Sequence, residues 1–421
     1  MKYPGKCLKS WMKGLNKVIG MKYIVVIGDG MADYPIPELN NKTPLEAANK
    51  PNMDYLAQNG EMGLVKTIPD TLPPGSDVAN LSAFGYDPLV HYTGRSPLEA
   101  VSMGVSLGED DIAIRCNLVT LSGEETYEDR TMVDYSSGEI TTGESRELIK
   151  SISEKLNSSI FSFYPGVSYR HCLVWKNGRL DLDLTPPHDI SGKRITNHLP
   201  KGDGSELLLS LMKESTKILK EHPVNKKRLE KGLNPATSIW LWGQGRKPSL
   251  ESFNSKFNLS GSVISAVDLV RGIGKLAGLK VVNVEGATGN IHTNYKGKAM
   301  AALNELESGS DFVYIHVEAP DECGHQGLTE SKVRAIELID SELLGPLMQG
   351  LSKWDYSILL LPDHPTPLSI RTHSRDPVPF VLYRKTDAKK NDNVIYCEKD
   401  AASTGIFVEK GNTLIERMIN I

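Results

Sequence analysis

The sequence predicts an α/β protein: a mostly parallel sheet with helices on both faces, assembled discontinuously from two stretches of the chain, with an α+β domain inserted between them. Three observations carry this expectation. Apolar strand-like runs alternate with helix-forming stretches near the N-terminus and again from about Leu279 onward, the pattern of parallel strands covered on both faces. Between about Gly108 and Gly278 the runs become shorter and alternate with Ser/Gly/Asp turns and amphipathic stretches. The length, 421 residues, exceeds what one hydrophobic core usually supports. The expected division is a sheet domain over 21–107 and 279–421, an inserted domain over 108–278, and an N-terminal extension over 1–20.

That extension carries Lys2, Lys6, Lys9, Lys13 and Lys17 among scattered apolar residues, before Met21-Lys22-Tyr23 opens the first strand as a natural start would. It reads as a poorly ordered leader from an upstream start, with a basic amphipathic membrane segment as the alternative. It lacks the continuous apolar stretch of a signal peptide. Tyr23–Gly28 is the first strand. Thr43 then caps a helix with Pro44 at its first position, which Gly60 closes. Pro73-Pro74-Gly75 forms a stiff turn into a helix opening at Ser76. In the insert, Ile112–Val119 and His171–Trp175 read as strands, and the charge-rich Lys220–Gly232, with Lys226-Lys227-Arg228, reads as a solvated helix face. Strands are expected again at Lys280–Val284, Asp311–Val317, Tyr356–Leu361 and Pro379–Tyr383, and helices at Lys298–Glu307 and Ser331 to about Leu347.

Seven residues carry the chemistry: Asp29, Ser76, Asp321, His325, Asp363, His364 and His373. Asp29, Asp321 and Asp363-His364 each stand at or just after the end of a strand-like run, the edge where open α/β sheets bind ligands. Asp321 and His325 share a face if the segment between them is a turn of helix. Carboxylates and imidazoles without thiolates suit Mn²⁺, Zn²⁺, Fe²⁺ or Co²⁺ rather than a closed structural zinc site. Two such ions about 3.5–4 Å apart can clamp the attacking and leaving oxygens of an in-line displacement. Ser76 is the candidate nucleophile: the N-terminus of a helix stabilises an attached phosphate, and a cation favours the alkoxide. Taken singly, Ser76 reads as an N-cap, Asp29 in Gly28-Asp29-Gly30 as a tight turn, and Asp363-His364 as a turn beside a surface histidine. Their conjunction at strand ends points to phosphoryl transfer.

The balance of the sequence excludes other classes. A net charge of −4 and a pI near 6.2 give no general basic footprint for nucleic acid. No run approaches the ~18 apolar residues of a transmembrane helix. Cys7, Cys116, Cys172, Cys323 and Cys397 form no C-x-x-C pair and read as reduced thiols of a cytoplasmic protein, with Cys323 a small buried filler. Oligomeric state is not encoded in any of these features.

The chain resembles the cofactor-independent phosphoglycerate mutases of the archaeal type, a branch of the alkaline phosphatase superfamily. The likeness runs from about Met21 to the C-terminus. It rests on Val26-Ile27-Gly28-Asp29-Gly30-Met31, Pro74-Gly75-Ser76-Asp77-Val78-Ala79-Asn80, His91-Tyr92-Thr93-Gly94-Arg95-Ser96-Pro97-Leu98-Glu99-Ala100, Arg115-Cys116-Asn117, Pro187-His188-Asp189, Pro320-Asp321-Glu322-Cys323-Gly324-His325 and Pro362-Asp363-His364-Pro365. The resemblance implies an alkaline-phosphatase-like fold. One metal would be held by Asp29, Ser76, Asp363 and His364, and a second by Asp321, His325 and His373. Mn²⁺ is the implied ion, and Zn²⁺ or Co²⁺ satisfy the same donors. The implied reaction interconverts 3-phosphoglycerate and 2-phosphoglycerate through a phosphorylated Ser76.

A triply charged substrate also needs fixed cations, and the planar fork of arginine fits carboxylate and phosphate. Arg95 and Arg115 are the expected clamps. Arg170 and Arg271 are further candidates, although Arg170 alone reads as a solvated surface residue. His188-Asp189 is a polar pair that could move protons to and from the glycerate hydroxyls. Closure of two domains around substrate would exclude water, which otherwise turns a mutase into a phosphatase. A metal-dependent phosphatase or phosphodiesterase, a homoserine kinase-like phosphotransferase and a metal-stabilised binding protein remain alternatives.

Overall fold

The structure is a computed structural model that describes residues 20–388, 390, 391 and 393–420. Apart from Gly20, the expected extension lies outside the described residues, as does Cys7. The chain divides into two compact units, one built from residues up to 90, 251–267 and 277–421, the other from 91–250 and 268–276. The junctions differ from the expected 108 and 278. Gly261–Ile264, expected in the insert, is a strand of the large sheet. At four residues, with Ser262 interrupting its apolar run, it is too short to announce itself in sequence.

The large sheet has eight strands in the spatial order Lys280–Val282, Gly261–Ile264, Phe312–Val317, Lys22–Gly28, Tyr356–Leu361, Val378–Arg384, Glu61–Val65, Phe407–Val408. The first five run parallel. Val378–Arg384 is antiparallel to both its neighbours, and the short Phe407–Val408 lies parallel to Glu61–Val65. The expectation of a mostly parallel α/β sheet therefore holds. Every residue of Phe312–Val317 and Tyr356–Leu361 is buried, which is why these strands read as apolar runs interrupted only by His316 and Ser357. Each fully buried Val, Ile or Leu stabilises the sheet by about 1.5–3 kcal/mol.

Register positions the site. Gly28 lies opposite Val317, and Ile27 opposite Leu361, so the three central strands end level. Asp29, the helix entered at Glu318 and the Pro362-Asp363-His364 segment leave the sheet at one edge.

Two expected helices differ in detail. The stretch from Pro44 to Gly60 is two helices, Pro44–Ala47 and Pro51–Asn59, because Pro51 lacks the N–H that a continuous helix needs and pulls Lys50 out of helical geometry. Thr43 does cap the first, in a reciprocal capping box with Glu46. The helix expected from Ser331 runs as Thr329–Leu338, a π-helical stretch Ile339–Leu344, and Gly345–Leu351. Ile336, Ile339, Leu343, Leu344 and Leu347 face the core of the large sheet.

The smaller unit has an antiparallel sheet in which Ile112–Leu121 pairs with Arg170–Trp175, Ser238–Arg246 and, at its end, Met132–Asp134, while Phe161–Val167 flanks Arg170–Trp175. Helices Thr142–Leu156 and Ser205–Lys220 place Leu148, Ile149, Ile152, Leu208 and Met212 in one core with Ile112, Ile114 and Leu118. The charge-rich stretch forms helix Pro223–Glu230, but Arg228 is not on a solvated face. It is 2% exposed, pairs with Glu144 at 2.7 Å and donates to the carbonyls of Asn234 and Ser137. The guanidinium is buried because each side of its fork finds an acceptor.

Candidate metal centre

Asp29 follows the central strand and is 1% exposed. Gly30, at φ +64°, turns the chain away at once. A Cβ here would lie 2.6 Å from Thr366 Oγ1 and 2.7 Å from the Asp321 Cα, so only glycine lets these loops meet. Asp363 and His364, both wholly buried, follow the adjacent strand. His364 Nε2 lies 3.5 Å from Asp29 Oδ1 and 3.5 Å from Asp363 Oδ2.

Ser76 opens helix Ser76–Ala83, and its Oγ is 3.0 Å from His364 Nε2. The helix is fastened by Asn80, whose amide donates to Asp363 Oδ2 at 2.8 Å and to the Ser76 carbonyl at 2.8 Å, while its oxygen accepts from the Tyr314 hydroxyl at 2.7 Å.

The second group forms on helix Ala319–Gln326. One turn separates Asp321 from His325, and their Oδ2 and Nε2 are 3.3 Å apart. His373 Nε2 lies 3.4 Å from Asp321 Oδ1 and 3.0 Å from His325 Nε2. The rings of His373 and His364 are 4.0 Å apart, centroid to centroid, so the two groups are contiguous. Asp29, Asp363 and His364 offer ligand atoms within 4.8 Å of one another, as do Asp321, His325 and His373.

Electrostatics favours a cation here. Burial, reinforced by the charges of Asp363 and Asp321, drives the Asp29 carboxyl well above the usual carboxylate range. Its Oδ1 is buried without a hydrogen-bond partner, an orphan acceptor that a cation would satisfy. Asp321 moves the other way: burial would raise it, but His325 and His373 together hold it well below its normal value. His325 is raised to about 9, chiefly by its hydrogen bond to Asp321. The donor set therefore fits hard or borderline divalent ions.

Three neighbours escaped the reading of the sequence. Asn80 and Thr366 are buried polar residues wedged among the donors. His316, also buried, brings Nε2 to 3.0 Å from Asp29 Oδ2. A histidine inside the apolar run Phe312–Val317 was the available signal, because a buried imidazole requires partners.

In the smaller unit, Glu99 joins the two expected clamps. It accepts from Arg95 Nε at 2.8 Å and from Arg115 Nε at 2.9 Å, and also pairs with Arg115 Nη2. The Arg115 guanidinium stacks on Trp242 at 4.5 Å, and the His188 ring stands edge-on to Trp242 at 5.3 Å. From His188 the row continues through Tyr135 and Tyr169 to Arg170, with spacings of 6.1, 5.8 and 5.3 Å. His188 and Asp189 are a solvated pair 3.6 Å apart. Arg271 is on helix Asp268–Leu276, which packs on the helix that carries Glu99. Sequence spacing signalled neither Glu99 nor Trp242 as part of the cluster.

Carboxylate and imidazole donors beside a helix-opening serine, on the carboxyl edge of an open α/β sheet, set the class as a divalent-metal-dependent enzyme of phosphoryl transfer. The profile of the 2,3-bisphosphoglycerate-independent phosphoglycerate mutases matches residues 57–225. A Geobacter sulfurreducens protein named probable 2,3-bisphosphoglycerate-independent phosphoglycerate mutase is 55% identical over 401 residues, 95% of this chain and 100% of that relative. A Methanosarcina acetivorans protein with the same name, without "probable", is 49% identical over 95% of this chain and 100% of its own length. Among solved structures, a Pyrococcus horikoshii protein superposes with a TM-score of 0.80 at 30% identity, covering 95% of this chain and 97% of its own. The cofactor-independent phosphoglycerate mutase of Thermoplasma acidophilum gives 0.64 at 28% identity, covering 95% and 99%. The chain belongs to the 2,3-bisphosphoglycerate-independent phosphoglycerate mutase family. Among the described residues no helix is long and apolar enough to cross a membrane.

Proposed function

We propose that this chain interconverts 3-phosphoglycerate and 2-phosphoglycerate, a step of glycolysis and gluconeogenesis, through a phosphoserine at Ser76. Two divalent ions, Mn²⁺ foremost, would be held by Asp29, Asp363, His364 and Ser76 and by Asp321, His325 and His373. The observation that carries this reading is the 3.0 Å approach of Ser76 Oγ to His364 Nε2, inside one donor group and beside the other.

Bound cations would neutralise charge on the attacking and departing oxygens and favour the serine alkoxide. In the first displacement Ser76 Oγ bonds to phosphorus, the bond from phosphorus to the glycerate 3-oxygen breaks, and the serine proton ends on the glycerate 3-hydroxyl. In the second, the glycerate 2-oxygen takes the phosphoryl group back and its proton returns to Ser76. Retention of glycerate between the steps separates a mutase from a phosphatase. Arg95 and Arg115, oriented by Glu99 and Trp242, are the proposed carboxylate clamp, with Arg170 and Arg271 as outer cations and His188-Asp189 as a proton carrier for the glycerate hydroxyls. Among the described residues, four buried, unpaired cysteines suit a cytoplasmic setting.

The test is incubation of Mn²⁺-loaded protein with 3-phosphoglycerate, coupling 2-phosphoglycerate to enolase and measuring free phosphate in parallel. Product without free phosphate supports the mutase. Free phosphate alone supports hydrolysis, and turnover only with ATP and homoserine supports the kinase. Ser76→Ala should abolish transfer with the fold intact, and a full mutase rate in that variant refutes the phosphoserine.

A further inference from the structure

Thr366 is wholly buried and follows the Asp363-His364 pair. Its Oγ1 donates to Asp321 Oδ1, in one donor group, and lies 3.2 Å from His364 Nδ1, in the other. A hydroxyl has one proton and two lone pairs. With the proton given to Asp321, which as a carboxylate only accepts, the oxygen can only accept from His364. Nδ1 must then carry the imidazole hydrogen. In the neutral ring the lone pair is then left on Nε2, the atom that approaches Asp29, Asp363 and Ser76.

The backbone of Thr366 is held just as firmly. Its N–H donates to the Ala32 carbonyl at 3.2 Å. Its own carbonyl accepts from Lys332 Nζ at 2.8 Å, and that ammonium also donates to Asp33 Oδ2 at 2.7 Å and to the Ala32 carbonyl at 3.3 Å. All three ammonium protons are placed, and Lys332 is 0% exposed. One buried cation on helix Thr329–Leu338 thus ties the loop after Asp29 to the loop after Asp363.

We infer that Thr366 is a positioning residue that selects the metal-binding tautomer of His364 and couples the two donor groups, with Lys332 as its anchor. The inference rests on the metal-centre reading proposed above. Outer hydrogen bonds of this kind fix ring orientation and basicity, and their loss costs about 10–100-fold in metal affinity.

The test uses the full chain. In metal-free protein, ¹⁵N NMR of the His364 ring should show the Nδ1–H tautomer, and Thr366→Val should lose that pattern. Calorimetric titration with Mn²⁺ should show binding about 10–100-fold weaker in Thr366→Val, with wild-type behaviour restored by Thr366→Ser. Wild-type affinity in Thr366→Val overturns the inference. So does an Nε2–H tautomer in metal-free wild type, a result that needs no variant to fold. Failure of wild type to bind Mn²⁺ would instead remove the metal-centre reading, while the tautomer measurement would still decide the role of Thr366.

Discussion

Asn80→Leu tests whether the serine helix is locked to the donor groups through hydrogen bonds rather than shape. The replacement keeps the branched outline and the number of side-chain heavy atoms, though Leu is bulkier, at a site of 0% exposure, and it removes three hydrogen bonds, to Asp363 Oδ2, the Ser76 carbonyl and the Tyr314 hydroxyl. The Ser76 carbonyl keeps its helical partner. The Tyr314 hydroxyl and the Asp363 oxygen are left buried without a donor or acceptor, at about 1–3 kcal/mol each. Added apolar burial returns about 1 kcal/mol, so the expected destabilisation is about 3 kcal/mol. The assay is urea unfolding of metal-free protein, following the transition of the large-sheet unit. Adding Tyr314→Phe removes one orphan, so the double variant should be less destabilised than Asn80→Leu alone. A loss below about 1 kcal/mol in the single variant, or strict additivity of the two substitutions, would refute the account, because partners in one network do not add.

Two half-buried carboxylates should titrate in opposite senses. Burial pushes Glu398 up to about 7 against its bonds from Thr43 and Asp33. The folded state therefore binds the extra proton between about pH 4.3 and 7, and stability falls as pH rises through that window. Glu398→Gln should gain up to about 3 kcal/mol over wild type at pH 8, with no gain near pH 4; an equal difference at both pH values would sink the idea. Glu99 is pushed up by burial but brought down to about 2 by Arg115 and Arg95. Its contribution is complete above about pH 4.3 and lost as pH falls through about 2. Glu99→Gln should therefore destabilise the smaller unit by about 2 kcal/mol at pH 7, with the gap from wild type narrowing below pH 4; a gap that persists unchanged at pH 2.5 contradicts the pairing.

The donor residues were legible because their placement obeys a local rule. A parallel strand delivers its next residue to the sheet edge, so a carboxylate after an apolar run is located once the strand is recognised. Register then brings Asp29 and Asp363 to the same level. Asp321 and His325 needed only one helical turn. Asn80 obeys no such rule: its partner Asp363 lies 283 positions away, and within Ser76-Asp77-Val78-Ala79-Asn80 it looks like any polar residue of a short helix. Thr366 follows the same logic, because in Pro365-Thr366-Pro367 its hydroxyl reads as part of a turn. The donors are set by backbone geometry, whereas the residues that aim them are set by side-chain packing between distant segments.

Charge was ambiguous for the same reason. Arg228, in a basic run, is a buried structural cation because Glu144, Ser137 and Asn234 surround its fork. Arg95, from an equally polar stretch, keeps 42% of its side chain exposed while sharing Glu99 with Arg115. Sequence reads Arg228 as part of a solvated helix face and Arg95 as a clamp, and the acceptors around each guanidinium decide how available it is to a ligand. Where each nitrogen of a guanidinium already has an acceptor, as in Arg228, an incoming anion must displace a buried bond. Where a guanidinium stays partly exposed, as Arg95 does, an anion can approach it at lower desolvation cost. That difference is the reason Arg95 and Arg115, rather than Arg228, are the pair proposed above for a carboxylate or phosphate.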